Sequence, residues 1–190
     1  MAGIDKEIAR RLVSRAREGD SKAFSQLVRL MMNDVVALTY RMTRDSDTAR
    51  DLAQEAFVAA WQALPNFREE ASFKNWLYRI AANKTLNFLK QRQRRQAEPI
   101  ETLNRAVPAA DDIASNPEKQ LMLKEMKSQV LTFMAGLPDQ QRLVFDLRFY
   151  KDLSFEEIAD VTGRAVGTVK THYRQAVIKL REFAQQQGWR

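Results

Sequence analysis

The sequence predicts an all-α fold of two small helical domains joined by a flexible linker, the second containing a helix-turn-helix. Long windows repeat their apolar residues with a 3.6-residue period, and none alternates with period two. Only six glycines and five prolines punctuate 190 residues. The stretch from Leu153 to Leu180 reads as two helices joined by a tight turn.

In the first domain the pattern predicts helices over 5–18, 21–44, 47–64 and 72–95. Gly19 with Asp20, Asp45 with Ser46, and Pro65 with Asn66 mark the three breaks. In the second, a helix over 117–135 should stop at Gly136 and another should run from Asp139 to Tyr150, behind a proline of the kind tolerated at helix starts.

The helix-turn-helix follows. Ser154 caps its first helix while Glu157, three residues on, reaches back to the cap amide. Ile158, Ala159 and Val161 supply apolar contacts, and Gly163 tolerates the positive φ of a turn. From Val166 a second helix places Val166, Val169, Tyr173, Ala176, Val177 and Leu180 on one stripe. Thr168, Lys170, Thr171, His172, Arg174 and Gln175 are then left to solvent. No acid falls between Asp160 and Glu182, so this surface has the sign and hydrogen-bonding chemistry to enter a DNA major groove. The alternative is a basic solvated helix on an ordinary helical hairpin.

Composition locates the linker. No aromatic residue lies between Phe88 and Phe133, and Pro99, Pro108 and Pro117 fall there. Residues 96–116 carry four acids against one base without a sustained apolar stripe. Domains of 1–95 and 117–190 result, each long enough to close its own core.

A formal charge of +7 and a pI near 9.8 favour a polyanionic partner, either nucleic acid or an anionic membrane surface. The absence of cysteine excludes disulfides and thiolate metal sites, and the single histidine, His172, excludes a histidine-rich one. No metal or cofactor is expected. The charged N-terminus lacks a signal-peptide core, and no stretch approaches the roughly 18 apolar residues of a membrane span, so a cytoplasmic protein is expected. Neither a nucleophile–base pairing nor a phosphate-cradling glycine loop is present, which argues against an enzyme.

The most one-sided charge run lies between Ala71 and Ala97, with seven basic residues and no acid. Arg79, Asn83, Asn87, Lys90 and Arg94 form one strip along a helix, and Trp76 falls in line with it. Phe67 flanks the helix upstream. Cations, amides that read base edges, and exposed aromatics on which unpaired bases stack are the ingredients of single-strand DNA binding. The alternative assigns Phe73, Trp76, Leu77, Ile80 and Phe88 to the core and the cations to a solvated face. On the preceding helix Leu52, Ala56, Phe57, Ala60 and Leu64 make a buried stripe, while Asp47, Asp51, Gln54 and Glu55 gather near its start. Acids there suit the helix dipole, or they form a protein docking surface.

Several blocks resemble a known family. ARDLAQEAFVAAWQALPNF, EASFKNWLYRIAANKTLNFLKQRQRR, GLPDQQRLVFDLRF and LSFEEIADVTGRAVGTVK, with EGDSKAFSQLV near the N-terminus, are similar to the extracytoplasmic-function (group four) sigma factors of bacterial RNA polymerase. The likeness covers about 8–183 and skips only the linker. It implies that Asp51, Gln54 and Glu55 dock on the clamp helices of the polymerase's largest subunit. It also implies that Phe67, Trp76, Tyr78, Arg79, Asn83 and Asn87 take the melted minus-10 strand. Thr168, Lys170, Thr171, His172, Arg174 and Gln175 would read the minus-35 duplex, with Arg148 and Lys170 on phosphates. The implied partners are core polymerase, including the flap of the second-largest subunit, promoter DNA and an anti-sigma factor, without membrane insertion. The competing readings are a stand-alone helix-turn-helix regulator and a basic helical protein at anionic membranes.

Overall fold

A computed structural model of the chain describes residues 6–67, 72–96 and 128–188, and all its regular structure among these residues is helical. Helix α1 (Lys6–Arg17) stops before Gly19, whose φ of 92° reverses the chain. Asp20 then caps α2 (Ser21–Thr43), its carboxylate accepting from the backbone N–H of Lys22 and Ala23 at 2.9 and 3.0 Å. Asp45 does the same for α3 (Ser46–Ala63) through Thr48 N–H at 2.7 Å. Pro65 sits in a single 3-10 turn, Leu64–Asn66, ahead of α4 (Phe73–Gln96). Of the helix expected over 117–135, residues 128–135 are described and helical, and are termed α5. Helices α6 (Asp139–Phe149), α7 (Phe155–Thr162) and α8 (Val166–Gln186) complete the chain. The linker expected over 96–116 lies outside the described residues beyond Gln96.

The expected capping box forms in full. Glu157 N–H donates to the Ser154 hydroxyl at 3.1 Å and Ser154 N–H donates to the Glu157 carboxylate at 2.8 Å. Gly163 ends α7 in the left-handed region, which leaves α8 free to start in a new direction.

Packing departs from the expectation of two separate cores. Leu27, Val35, Leu38 and Met42 of α2, Phe57 of α3 and Leu77 of α4 form one continuous apolar cluster with Leu143 and Leu147 of α6, Ile158 of α7 and Val169 of α8. The reason lies in α4. Phe73, Leu77, Tyr78, Ala81, Ala82 and Leu89 bury too wide an arc for one neighbour, so α2 and α3 cover part of it and α7 the rest. Each fully buried leucine or isoleucine contributes about 1.5–3 kcal/mol, which makes this seam an integral part of the packing. Phe133, Met134, Leu137, Phe145 and Ala176 form a second, smaller cluster within the C-terminal part.

Polar groups register the seam. Arg41 of α2 makes a two-pronged pair with Asp146 of α6, whose side chain is 0% exposed. The Lys151 ammonium donates to both the carboxylate and the carbonyl of Asp34, each at 2.9 Å. Asn75 of α4 donates to Glu157 at 3.0 Å, so the cap of the helix-turn-helix is also a rivet between the domains. Arg142 of α6 donates to the Met42 carbonyl of α2 and to the carbonyls of Met134, Ala135 and Leu137, satisfying orphan acceptors at two helix ends.

Candidate nucleic-acid and polymerase interfaces

Because α4 is covered on two sides, one strip of it faces water. Arg79, Asn83, Asn87, Lys90 and Arg94 are all exposed on that strip. The structure therefore brings the cations and amides together as the spacing predicts.

The aromatic residues expected beside them sit differently. Phe67 is only 4% exposed, packed against Trp76 with ring centroids 4.8 Å apart and edge-on to Phe73 at 6.0 Å. Trp76 is half-buried, and Tyr78 is fully buried beneath the C-terminal domain. The expectation of an exposed stacking face at Phe67 is thus corrected, since its ring is buried against Trp76 and Phe73 of its own domain, and Tyr78, which the resemblance assigns to the melted strand, is covered where the domains meet. The Tyr78 hydroxyl has no hydrogen-bond partner, and burial, followed by Asp34 and Asp146, pushes its pKa far above the usual phenol value. The Lys151 ammonium lies 5.4 Å from the centre of its ring.

On α3, Asp51, Gln54 and Glu55 are exposed and line an open groove with Val58, Ala59, Gln62 and Lys84. Lys84 of α4 pairs with Glu55 at 3.1 Å across one edge. Val58 is 58% exposed at this site, so the groove offers an apolar contact framed by acids. Val58 carries no charge to flag it, and sequence reasoning passed over it.

The recognition surface on α8 forms with Thr168, Lys170, Thr171, Arg174 and Gln175 exposed. His172 turns partly inward: it is half-buried, its Nδ1 is buried without a partner, and burial together with Arg164 holds its imidazole below the usual histidine value. Arg148 is engaged within the fold, donating to the Leu153 carbonyl at 2.9 Å, with its guanidinium 5.5 Å from the Phe155 ring. It thereby staples the turn between α6 and α7. The Lys170 ammonium approaches the same ring at 5.8 Å. Among the described residues no group of acids, histidines or cysteines could hold a metal ion, and no helix is long and apolar enough to cross a membrane.

Comparison with known proteins places these surfaces in a family. Residues 27–95 match the model of sigma-70 region 2 and residues 127–180 that of sigma-70 region 4. The first match contains the α3 groove and the α4 strip, and the second contains the helix-turn-helix. The chain is 36% identical to the RNA polymerase sigma-H factor of Pseudomonas aeruginosa, over 91% of this chain and 92% of that one. It is 37% identical to the ECF RNA polymerase sigma-E factor of Escherichia coli K12, over 87% and 88%. Two solved structures share the fold with a TM-score of 0.70 each. CnrH, solved with the cytosolic domain of CnrY, is 24% identical, with 94% of this chain and 98% of that one covered. The sigma factor RpoE of Bartonella quintana, solved with the anti-sigma factor NepR, is 22% identical, with 86% and 98% covered. With both region matches in order along one chain and full-length relatives above 30% identity, the protein belongs to the extracytoplasmic-function sigma factors, the RNA polymerase subunits that act in promoter recognition.

Proposed function

We propose that the two exposed basic surfaces divide promoter recognition between them. The observation that carries this reading is their placement: an amide-and-cation strip within the region 2 match and an acid-free recognition helix within the region 4 match, on one chain. Residues 1–95 would carry the first surface and 117–190 the second, with 96–116 tethering them. Thr168, Thr171, His172, Arg174 and Gln175 face the base edges of the minus-35 duplex, and Lys170 meets a phosphate. Arg79, Asn83 and Asn87 take the melted minus-10 strand, in which an unstacked base is held by edge contacts and stacking. The stacking partner beside the strip is the half-buried Trp76, with Phe67 packed behind it, while Tyr78 is covered. Lys151, in the turn between α6 and α7, lies over the Tyr78 ring, so use of Tyr78 requires the C-terminal domain to lift from α4.

The groove at Asp51, Gln54, Glu55 and Val58 docks on the clamp helices of the largest polymerase subunit, and the C-terminal domain meets the flap of the second-largest. The chain supplies no chemistry of its own and needs no cofactor, since phosphodiester formation belongs to the polymerase. It acts in the cytoplasm and is restrained by an anti-sigma factor, a partner class present in the RpoE structure of the same fold.

Run-off transcription with core polymerase on a promoter panel tests the proposal. Specific initiation only when the chain is added is the expected result. Tight operator binding by the isolated chain, with no effect on the polymerase, would replace this reading with that of a stand-alone regulator.

A further inference from the structure

On α8 the residues Thr168, Gln175 and Lys179 are exposed along one flank, at the spacing that aligns side chains on a helix. That flank meets the start of α6. The Lys179 ammonium donates to the Gln141 carbonyl oxygen at 3.2 Å, and the Gln141 amide nitrogen donates to the Gln175 carbonyl oxygen at 2.8 Å.

The direction of this relay is fixed by its first member. An ammonium has three donors and no acceptor, so only the carbonyl end of Gln141 can face it. That turns the Gln141 NH2 toward Gln175, which must answer with its own carbonyl. The Gln175 NH2 is then the end left free. We infer that Gln141 is a positioning residue for promoter reading: through Lys179 it presents Gln175 to DNA as a hydrogen-bond donor. This inference rests on the assignment of α8 to the minus-35 duplex.

The consequence is a defined base preference. A free glutamine recognises adenine with both ends of its amide, accepting from N6 and donating to N7. With its carbonyl already engaged, Gln175 has donors to offer. Guanine, with adjacent N7 and O6 acceptors, and thymine, with O4, match it, whereas cytosine presents N4 donors and does not. The promoter position facing Gln175 should therefore favour guanine or thymine.

Run-off transcription from a promoter library randomised across the minus-35 element, with core polymerase and the full chain, provides the test. Gln175→Ala identifies the position by flattening its preference. Gln141→Glu keeps an acceptor toward Lys179 but can only accept from Gln175, which turns the Gln175 carbonyl outward. At that position it should shift the preference about fivefold or more toward adenine or cytosine, the bases with exocyclic donors. The added charge weakens every promoter alike, so the ratio between bases is the readout. Lys179→Met removes the directional constraint and should blur the preference without reversing it. All three sites lie at the surface, and unchanged thermal unfolding midpoints show that the variants fold.

A Gln141→Glu profile identical to that of the parent, with Gln175→Ala still flattening one position, would overturn the relay while leaving promoter recognition in place. A Gln175→Ala profile identical to the parent's, with Arg174→Ala altering it, would overturn the relay at its last link. Failure of the parent chain to direct initiation from any library member would instead remove the underlying reading.

Discussion

Replacing Asp146 by alanine tests whether the seam between the two domains is held by its buried ion pair. The Arg41 side chain is 12% exposed and its partner carboxylate is wholly buried. Asp146→Ala strands the guanidinium, whose remaining neighbour across the seam is the Tyr150 ring, 4.2 Å from its central carbon. Breaking one half of such a pair costs about 3–5 kcal/mol. The chain can avoid most of that cost by separating α6 and α7 from α2 and α4, which lets water reach Arg41. At the lower figure the closed-to-open ratio falls about 150-fold.

Small-angle scattering reads the opening directly, since a compact chain of this length has a radius of gyration of about 16 Å and the variant should exceed it. Tyr78 reports independently: once uncovered, its phenol should titrate close to the usual value of about 10. Burial pushes the Asp146 carboxyl up despite Arg41 and Lys151, so desolvation outweighs attraction within the pair. The double replacement Arg41→Met/Asp146→Leu should accordingly close as tightly as the parent or more so. An Asp146→Ala chain with the parent's radius and the parent's Tyr78 titration would refute the argument.

Ser154→Ala should cost about 1 kcal/mol in urea unfolding, the worth of one helix cap, whereas Glu157→Ala should cost about 2–3 kcal/mol because it also leaves the buried Asn75 amide unpaired. The carboxyls of Asp20, Asp45 and Glu157 are held below their ordinary values, first by the backbone N–H of Ala23, Thr48 and Ser154 respectively. Depressed values mean stability that is present above the unfolded pKa and lost as pH falls through the folded one; the thermal midpoint should drop below about pH 4, and less steeply in Asp45→Asn. Lys170→Ala should weaken every promoter to a similar degree and reduce the salt slope by about 0.9, whereas an effect confined to one sequence would make Lys170 a base reader. Asn83→Ala should lower open-complex formation more than polymerase binding; equal losses in the two assays would contradict its assignment to the melted strand.

The order of the helices was legible because helix boundaries are local. Asp20, Asp45 and Ser154 sit within three residues of the amides they cap, and Gly163 needs only its own φ to end α7. The exposed strip on α4 was equally readable, since residues three and four apart share a face wherever the helix is placed. Family membership followed from the motifs, which are themselves strings of adjacent residues. What stayed hidden depends on partners far away in sequence. Asp146 sits between Phe145 and Leu147 on α6, and nothing local names Arg41, 105 positions earlier, as its counter-ion. Gln141 lies inside one of the family-like blocks, but nothing local names Gln175, 34 residues later, as its partner.

Which segments are helical, where they stop, and which faces carry cations are all legible locally, because they follow from backbone capping and a 3.6-residue repeat. That Phe67 and Tyr78 are covered and that one apolar cluster runs through both domains emerges only from packing in three dimensions. Burial is a property of what packs against a side chain: α4 displays apolar surface on two sides, and which elements fill them is set by long-range contact.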